Sequence, residues 1–138
     1  MIAPRLYVQL DGGRRVYHPG ERLSGSYWLE SSTQLEPTAV EVSILWHTFG
    51  KGDEDLAVHY FDRRALAPHE LPSLLEHPQR FASVLPPSPL SYEGVIVKIR
   101  WCVRVRVFFR KGKDLMAECA FQLGDVPAAR AVLPAERD

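Results

Sequence analysis

Cysteine is scarce in this sequence of 138 residues, which contains only Cys102 and Cys119. Two cysteines are too few for a disulfide framework, and their spacing is not that of a zinc site. No apolar run approaches the roughly 18 residues that a membrane-spanning helix needs. Apolar and polar side chains alternate from the first residues onward, whereas a secretion signal contains a continuous apolar segment. These absences predict a cytoplasmic protein without a transmembrane segment and without a cofactor.

Neither sign of charge is in excess, because 17 Lys and Arg residues are balanced by 17 Asp and Glu residues. A chain without net positive charge lacks the attraction on which nucleic-acid binding usually depends, so we expect no nucleic-acid partner. The apolar fraction of 46% beside 25% charged residues is ordinary for a globular domain. At this length, one domain buries roughly two-thirds of its unfolded surface, which is enough for a core without disulfide or metal.

Long helical periodicity is also absent, and the repeating signal is an alternation of apolar and polar residues. Clear alternation covers residues 6–10, 23–29, 40–46, 95–107 and 115–123, and weaker strand signals cover 56–61 and 81–85. Gly- and Pro-rich turns separate these segments, and three prolines in residues 62–79 predict an irregular crossing loop. We therefore expect an all-β, antiparallel, two-sheet sandwich of immunoglobulin-like type. It would have about seven or eight strands, with the domain at residues 1–124 and a flexible tail at 125–138.

Two blocks of the sequence resemble motifs of the arrestin-like domain family. The first covers residues 16–29 and reads VYHPGERLSGSYWL, in which His18-Pro19-Gly20-Glu21 has the Pro and Gly placement of a type II turn. The second combines LPPSPLSYEG at residues 85–94 with IRWCVRV at residues 99–105. Together they match the family's order over most of residues 5–123. The resemblance implies one sandwich of the arrestin N-terminal type, whereas arrestins join two such domains and 138 residues leave room for one.

Charge is unevenly distributed along the chain. Residues 94–113 contain seven basic residues and no acid, whereas residues 30–80 contain nine acids and four bases. Because side chains alternate across a strand, most of these basic residues should project from one side. We call this set the basic face, and it comprises Lys98, Arg100, Arg104, Arg106 and Arg110. It could bind acidic or phosphorylated protein segments or membrane headgroups, or it could be a solvated surface whose charges are neutralised by neighbouring carboxylates.

A hairpin turn at Gly112 determines the expected partners across the last two strands. It places Arg106 opposite Glu118, which would form an ordinary cross-strand ion pair. It also places Cys119 on the core side, while Cys102 shares the outer side with the arginines. The two thiols should therefore not form an intramolecular disulfide.

Catalytic patterns are weak in this sequence. The five histidines lack metal-ligand spacing, so we expect no metal site. The alternative is a metal site formed by His47 and His59 on paired strands. Ser91 lacks the Gly-x-Ser-x-Gly context of a hydrolase nucleophile, and its place in the arrestin-like block explains it structurally. Of the three tryptophans, we expect Trp46 and Trp101 in the core and Trp28 on the surface.

We predict from these patterns a non-enzymatic adaptor or scaffold module that binds a protein partner. An extended peptide, or a second copy of the domain in a homodimer, can add a strand to an exposed sheet edge. Alternatively, the basic face receives an acidic partner or a membrane surface. Two other interpretations stay open: a regulatory protein similar to the bacterial sporulation-control proteins that resemble arrestins, and a metal-dependent hydrolase.

Overall fold

The computed structural model describes residues 4–31, 36–50, 54–67 and 77–125. The strands in these ranges are β1 (Arg5–Leu10), β2 (Val16–Tyr17), β3 (Arg22–Glu30), β4 (Pro37–Gly50), β5 (Leu56–Ala65), β6 (Gln79–Val84), β7 (Tyr92–Glu93), β8 (Val97–Phe109) and β9 (Leu115–Leu123). A short 3-10 turn at Asp11–Gly13 follows β1. Within these ranges, no helix is both long enough and apolar enough to cross a membrane.

The strands form two sheets. The first sheet has the order β1-β3-β6, and the second has the order β2-β9-β8-β4-β5, with β7 also paired to β8. Every pair among the described strands is antiparallel except β2 with β9. The predicted all-β, two-sheet sandwich is therefore confirmed, with one short parallel pair added.

The core lies between the sheets and is built from alternate residues of the long strands. On β3, the inward side chains Leu23, Tyr27 and Leu29 are buried, and on β4 the buried set is Val40, Val42 and Ile44. The corresponding residues of β8 are Trp101, Val103, Val105 and Val107. A period of two in the sequence thus gives each strand one side that packs in the core, because successive side chains point to opposite faces of a sheet. On the outer side, Leu45 and Cys102 are also buried and lie opposite each other.

The predicted type II turn is present between β2 and β3. The Glu21 N–H donates to the His18 carbonyl oxygen at 3.1 Å, and Gly20 has the positive φ of 84° that this turn requires at its third position. The Glu21 carboxylate accepts a hydrogen bond from the His18 backbone N–H at 2.6 Å and forms an ion pair with Arg14 at 2.5 Å. The Pro-Gly-Glu motif therefore closes the turn through both backbone and side chain.

The start of β8 differs from the sequence prediction. Alternation begins at Val95, but the strand begins at Val97, and Val95 and Ile96 are 68% and 70% exposed. The Gly94 N–H donates to the Val97 carbonyl oxygen at 3.0 Å, which holds these two residues in a turn after β7. Their apolar side chains therefore do not contribute to the core.

The end of β5 also differs from the prediction, because the strand continues to Ala65 instead of ending at residue 61. Its last residues pair with β4, with Asp62 opposite Val42 and Ala65 opposite Ala39. Pairing with a long neighbouring strand thus overrides the weak local strand signal. Residues 62–65 and 79 of the predicted crossing loop therefore belong to strands. Residues 68–76 of that loop and residues 126–138 of the predicted tail lie outside the described residues.

The hairpin of β8 and β9 is shifted by two residues from the expected register. Glu118 lies opposite Arg104, and Cys119 lies opposite Val103. A shift of two keeps every side chain on its expected face, so Cys119 is in the core as predicted and Cys102 is on the opposite face. Cys102 is nevertheless only 6% exposed. Both thiols are free.

We expect Gly25→Ala to destabilise the domain, because a Cβ at this position would lie 2.4 Å from the Gln9 carbonyl oxygen and 2.7 Å from Phe81 Cζ. Relieving such overpacking costs about 1–3 kcal/mol. Chemical denaturation should therefore give a lower free energy of unfolding. Ser26→Ala, on the other side of the same strand, is the control and should change stability by less than about 0.5 kcal/mol. Equal stabilities for the two variants would contradict the close approach at Gly25.

Candidate functional site

The basic face lies on the outer surface of the second sheet. Lys98, Arg100, Arg104 and Arg106 occupy alternate positions of β8, and Arg110 follows the end of the strand. The residues on the other side of the strand point into the core, where Val103 and Val105 are fully buried. The four basic side chains of β8 therefore project from one side of the strand, as predicted.

Each arginine of the basic face lies against a carboxylate. The ion pairs join Arg100 to Glu93 at 3.0 Å, Arg104 to Glu118 at 2.6 Å, Arg106 to Asp114 at 2.5 Å and Arg110 to Glu36 at 3.4 Å. Two of the arginines also lie over aromatic rings, with Arg100 5.5 Å from the centre of Phe49 and Arg106 5.0 Å from that of Phe108. The local charge is thus largely balanced within the domain.

These contacts lower the pKa values of two of the carboxylates. Hydrogen bonds from the Arg100 guanidinium hold the pKa of Glu93 below its ordinary value, and the charges of Arg100 and Lys98 act in the same direction. The pKa of Asp114 is likewise lowered, first by its hydrogen bond from Arg106. Both carboxylates are therefore ionised at neutral pH and keep their arginines engaged.

A second candidate surface is the edge formed by β5. This strand pairs with β4 on one side, and no other strand of the described residues pairs with it. Its register with β4 places Leu56, Val58 and Phe61 on the outer side of the sheet. All three are about half exposed. We call these three residues the apolar row. The rest of the strand contains the charged residues Asp62, Arg63 and Arg64.

The structure does not bring His47 and His59 together at a metal site. His59 donates from Nε2 to the Val84 carbonyl oxygen at 2.9 Å, and its ring packs edge-on against the core residue Trp101. His47 instead lies on the outer side with Cys102 and Glu118, whose potential ligand atoms are all within 4.8 Å of one another. The register between β4 and β5 shifts at this point, because Ile44 pairs with Tyr60 and Leu45 pairs with Val58, which leaves His59 of β5 as the extra residue.

The grouping of His47, Cys102 and Glu118 was missed from the sequence, because the three residues are far apart and belong to no spacing motif. His47 Nδ1 is buried and is the one such side-chain nitrogen or oxygen in the described ranges without a hydrogen-bond partner. Burial raises the pKa of the Cys102 thiol to about 12, and the nearby Glu118 carboxylate contributes to the rise. The cluster therefore contains three ligand types in a partly dry setting.

Ser91 and the tryptophans have structural contacts. The buried Ser91 hydroxyl accepts a hydrogen bond from the Leu123 N–H at 2.8 Å, which ties the segment before β7 to the end of β9. Trp101 is in the core and donates from Nε1 to the Pro89 carbonyl oxygen at 2.8 Å. Trp46 is partly buried against the same core. Trp28 stacks on Tyr7, with ring centres 5.3 Å apart, on the outer side of the first sheet.

Comparison with known proteins finds a likeness in structure but not in sequence. No family model matches the chain, and no curated protein matches it. Among solved structures, Spo0M, a sporulation control protein from Bacillus subtilis, is similar to 91% of this chain with a TM-score of 0.64 and 15% sequence identity. The fold is arrestin-like. This chain spans 51% of the length of Spo0M.

We expect the pKa of Glu93 to lie below its ordinary value of 4.5 and to rise towards it in Arg100→Ser. Because the folded pKa is lower than the unfolded one, the ion pair stabilises the fold above the ordinary pKa, and this contribution disappears as the pH falls through the lowered value. Carboxyl-carbon NMR titration measures this pKa directly. Arg110→Ser is the control, because Arg110 pairs with Glu36 and should leave Glu93 unchanged. An unchanged Glu93 titration in Arg100→Ser would contradict the assigned pair.

Proposed function

We propose that this domain is a non-enzymatic protein-interaction module, an adaptor or scaffold, that binds an extended segment of a partner protein along β5. The observation that carries the proposal is the ten-residue edge of β5 with the apolar row beside it. A sheet edge offers unpaired backbone N–H and C=O groups to an added strand, and pockets or rows beside it select alternate side chains.

The distribution of side chains along β5 supports docking on residues 56–61. The apolar row occupies positions 56, 58 and 61, whereas Asp62, Arg63 and Arg64 follow. Charged residues on an edge strand discourage indiscriminate pairing with other sheets. A partner strand with apolar residues facing the apolar row would therefore fit beside residues 56–61 and be excluded from residues 62–65.

The ion pairs on the outer surface favour β5 over the basic face as the binding surface. An acidic ligand would have to displace an internal carboxylate from each arginine, beginning with the two-point contact of Arg100 with Glu93 at 3.0 and 3.1 Å. Exposed ion pairs contribute little individually, about 0–1 kcal/mol. The exchange of one carboxylate for another therefore offers little net gain.

The non-enzymatic assignment is supported by the contacts that the candidate catalytic side chains already make. The Ser91 hydroxyl accepts a backbone hydrogen bond and is buried, so it is not presented to a substrate. His59, although exposed, is hydrogen-bonded to the carbonyl oxygen of Val84 in β6. A nucleophile with an adjacent base, which hydrolase chemistry requires, is therefore not formed from these two residues.

The test begins with cross-linking and co-purification of the native protein, which identifies the partner and its segment. The affinity of the labelled segment is then measured for a double variant, Val58→Lys with Phe61→Lys, and for the triple variant Arg100→Ser, Arg104→Ser, Arg106→Ser. We expect the double variant to lose at least about tenfold in affinity, because buried apolar anchors dominate interface energies. The triple variant should bind as the wild type does, with little dependence on salt.

The opposite result would overturn the β5 proposal. If the triple variant abolished binding and the double variant retained it, the basic face would be the binding surface. If the captured partner is a second copy of this chain, light scattering should show a concentration-dependent dimer that the double variant lacks. Circular dichroism of both variants serves as the folding control, since all substituted side chains are at least partly exposed.

A regulatory role like that named for Spo0M is the second candidate function. The observation that favours it is the structural likeness over 91% of this chain. Expression of the domain in a Bacillus subtilis strain lacking Spo0M tests it, with the matching half of Spo0M as the control because this chain spans 51% of that protein. Restored sporulation control would support the shared role. Restoration by the Spo0M half and not by this domain would contradict it.

A further inference from the structure

Three side chains from three neighbouring strands converge on the outer side of the second sheet. Cys102 is at the middle of β8, and His47 on β4 and Glu118 on β9 lie diagonally on either side of it, since their direct partners on β8 are Arg100 and Arg104. Diagonal neighbours are within reach of long side chains. The three potential ligand atoms are all within 4.8 Å of one another.

We propose that His47, Cys102 and Glu118 bind a single zinc ion. The three protein ligands are an imidazole nitrogen, a thiolate sulfur and a carboxylate oxygen, which are the ligand types of zinc proteins. Glu118 is on the exposed side of the cluster, so a water molecule can complete a tetrahedral site. This inference goes beyond the proposed interaction function and does not rest on it.

The unpartnered nitrogen of His47 is the observation that points to a ligand. His47 Nδ1 is buried without a hydrogen-bond partner, and a buried polar atom in that state bears its full desolvation cost. Cys102 shows a related feature, because its thiol is buried on the face that otherwise contains the charged residues of β8. A cation bound among the three residues accounts for both features.

The charges of the cluster suit a divalent cation. Binding replaces the thiol proton of Cys102 with a zinc–sulfur bond, the proton passes to solvent, and no electron is transferred. A thiolate, a carboxylate and a neutral imidazole then balance the two positive charges of the ion. Arg104 donates to Glu118 Oε2 at 2.6 Å, which matches the usual orientation of a ligating carboxylate by an outer hydrogen bond.

The geometry requires a small closure of the side chains. In a tetrahedral zinc site the ligand atoms are about 3.5 Å apart, as follows from bond lengths of roughly 2.0–2.3 Å. The ligand atoms are now up to 4.8 Å apart. Zinc binding therefore requires side-chain rotations that shorten these separations by about 1 Å. The backbone need not move, because β4, β8 and β9 are paired along their length.

The experiment is a zinc titration of the full chain without an affinity tag, in the presence of a chromophoric chelator and a reductant that does not bind metal. We expect one zinc ion per chain. Cys102→Ser and Glu118→Gln should each bind at least about 10–100-fold more weakly, the range known for the loss of even an outer-shell partner. Cys119→Ser is the matched control, since this thiol is also buried but faces the core, and it should bind as the wild type does.

Cobalt substitution supplies a readout that a purely structural role would not change. The wild type and Cys119→Ser should show a thiolate-to-cobalt charge-transfer band, and Cys102→Ser should lack it. Because Glu118 is exposed, Glu118→Gln keeps the test valid even if Cys102→Ser does not fold. Equal zinc affinity in the wild type and Glu118→Gln, or the absence of stoichiometric binding by the wild type, would overturn the proposal.

Discussion

The alternation of side chains along β8 is the constraint on which the rest of the structure depends. This strand of 13 residues is paired to β4 along its whole length and to β9 and β7 on its other side. Its buried residues, from Trp101 to Val107, form the centre of the core, while the intervening residues form the outer surface. A one-residue slip would exchange the two sets, exposing the valines and burying the arginines. The core and the outer surface are therefore specified together by one strand.

Neutrality of the outer surface arises from contacts in space and not from the charge runs of the sequence. The carboxylates that engage the arginines are Glu36, Glu93, Asp114 and Glu118. Only the first of these belongs to the acidic stretch of residues 30–80. The others lie in β7, in β9 and in the turn before β9, beside the basic strand in the fold. A charge run read along the chain thus overstates the potential of the surface, because the fold turns acidic residues just outside the run back beside its arginines.

The sequence predicts which face each side chain occupies much better than it predicts register. The alternation placed Trp101 and Cys119 in the core correctly, because a period of two is a local property of a strand. The hairpin register was off by two residues, since the turn between β8 and β9 is centred on Lys111, one residue before the glycine assumed as its centre. The position of His47 beside Cys102 was not predictable, because β4 and β8 are far apart in the chain. Their register is determined by the packing of the whole sheet.

The proposed zinc site and the proposed docking edge on β5 are adjacent at one pair of strands, β4 and β5. His47 of β4 is directly opposite Leu56, the first residue of the apolar row on β5. An ion that immobilised the His47 imidazole would therefore also restrain the backbone beside the proposed docking edge. If an added strand on β5 preferred that restrained state, linkage would require the ion to bind more tightly to the docked form by the same factor. The direct pairing of His47 with Leu56 thus places the proposed zinc site and the proposed docking edge on adjacent strands.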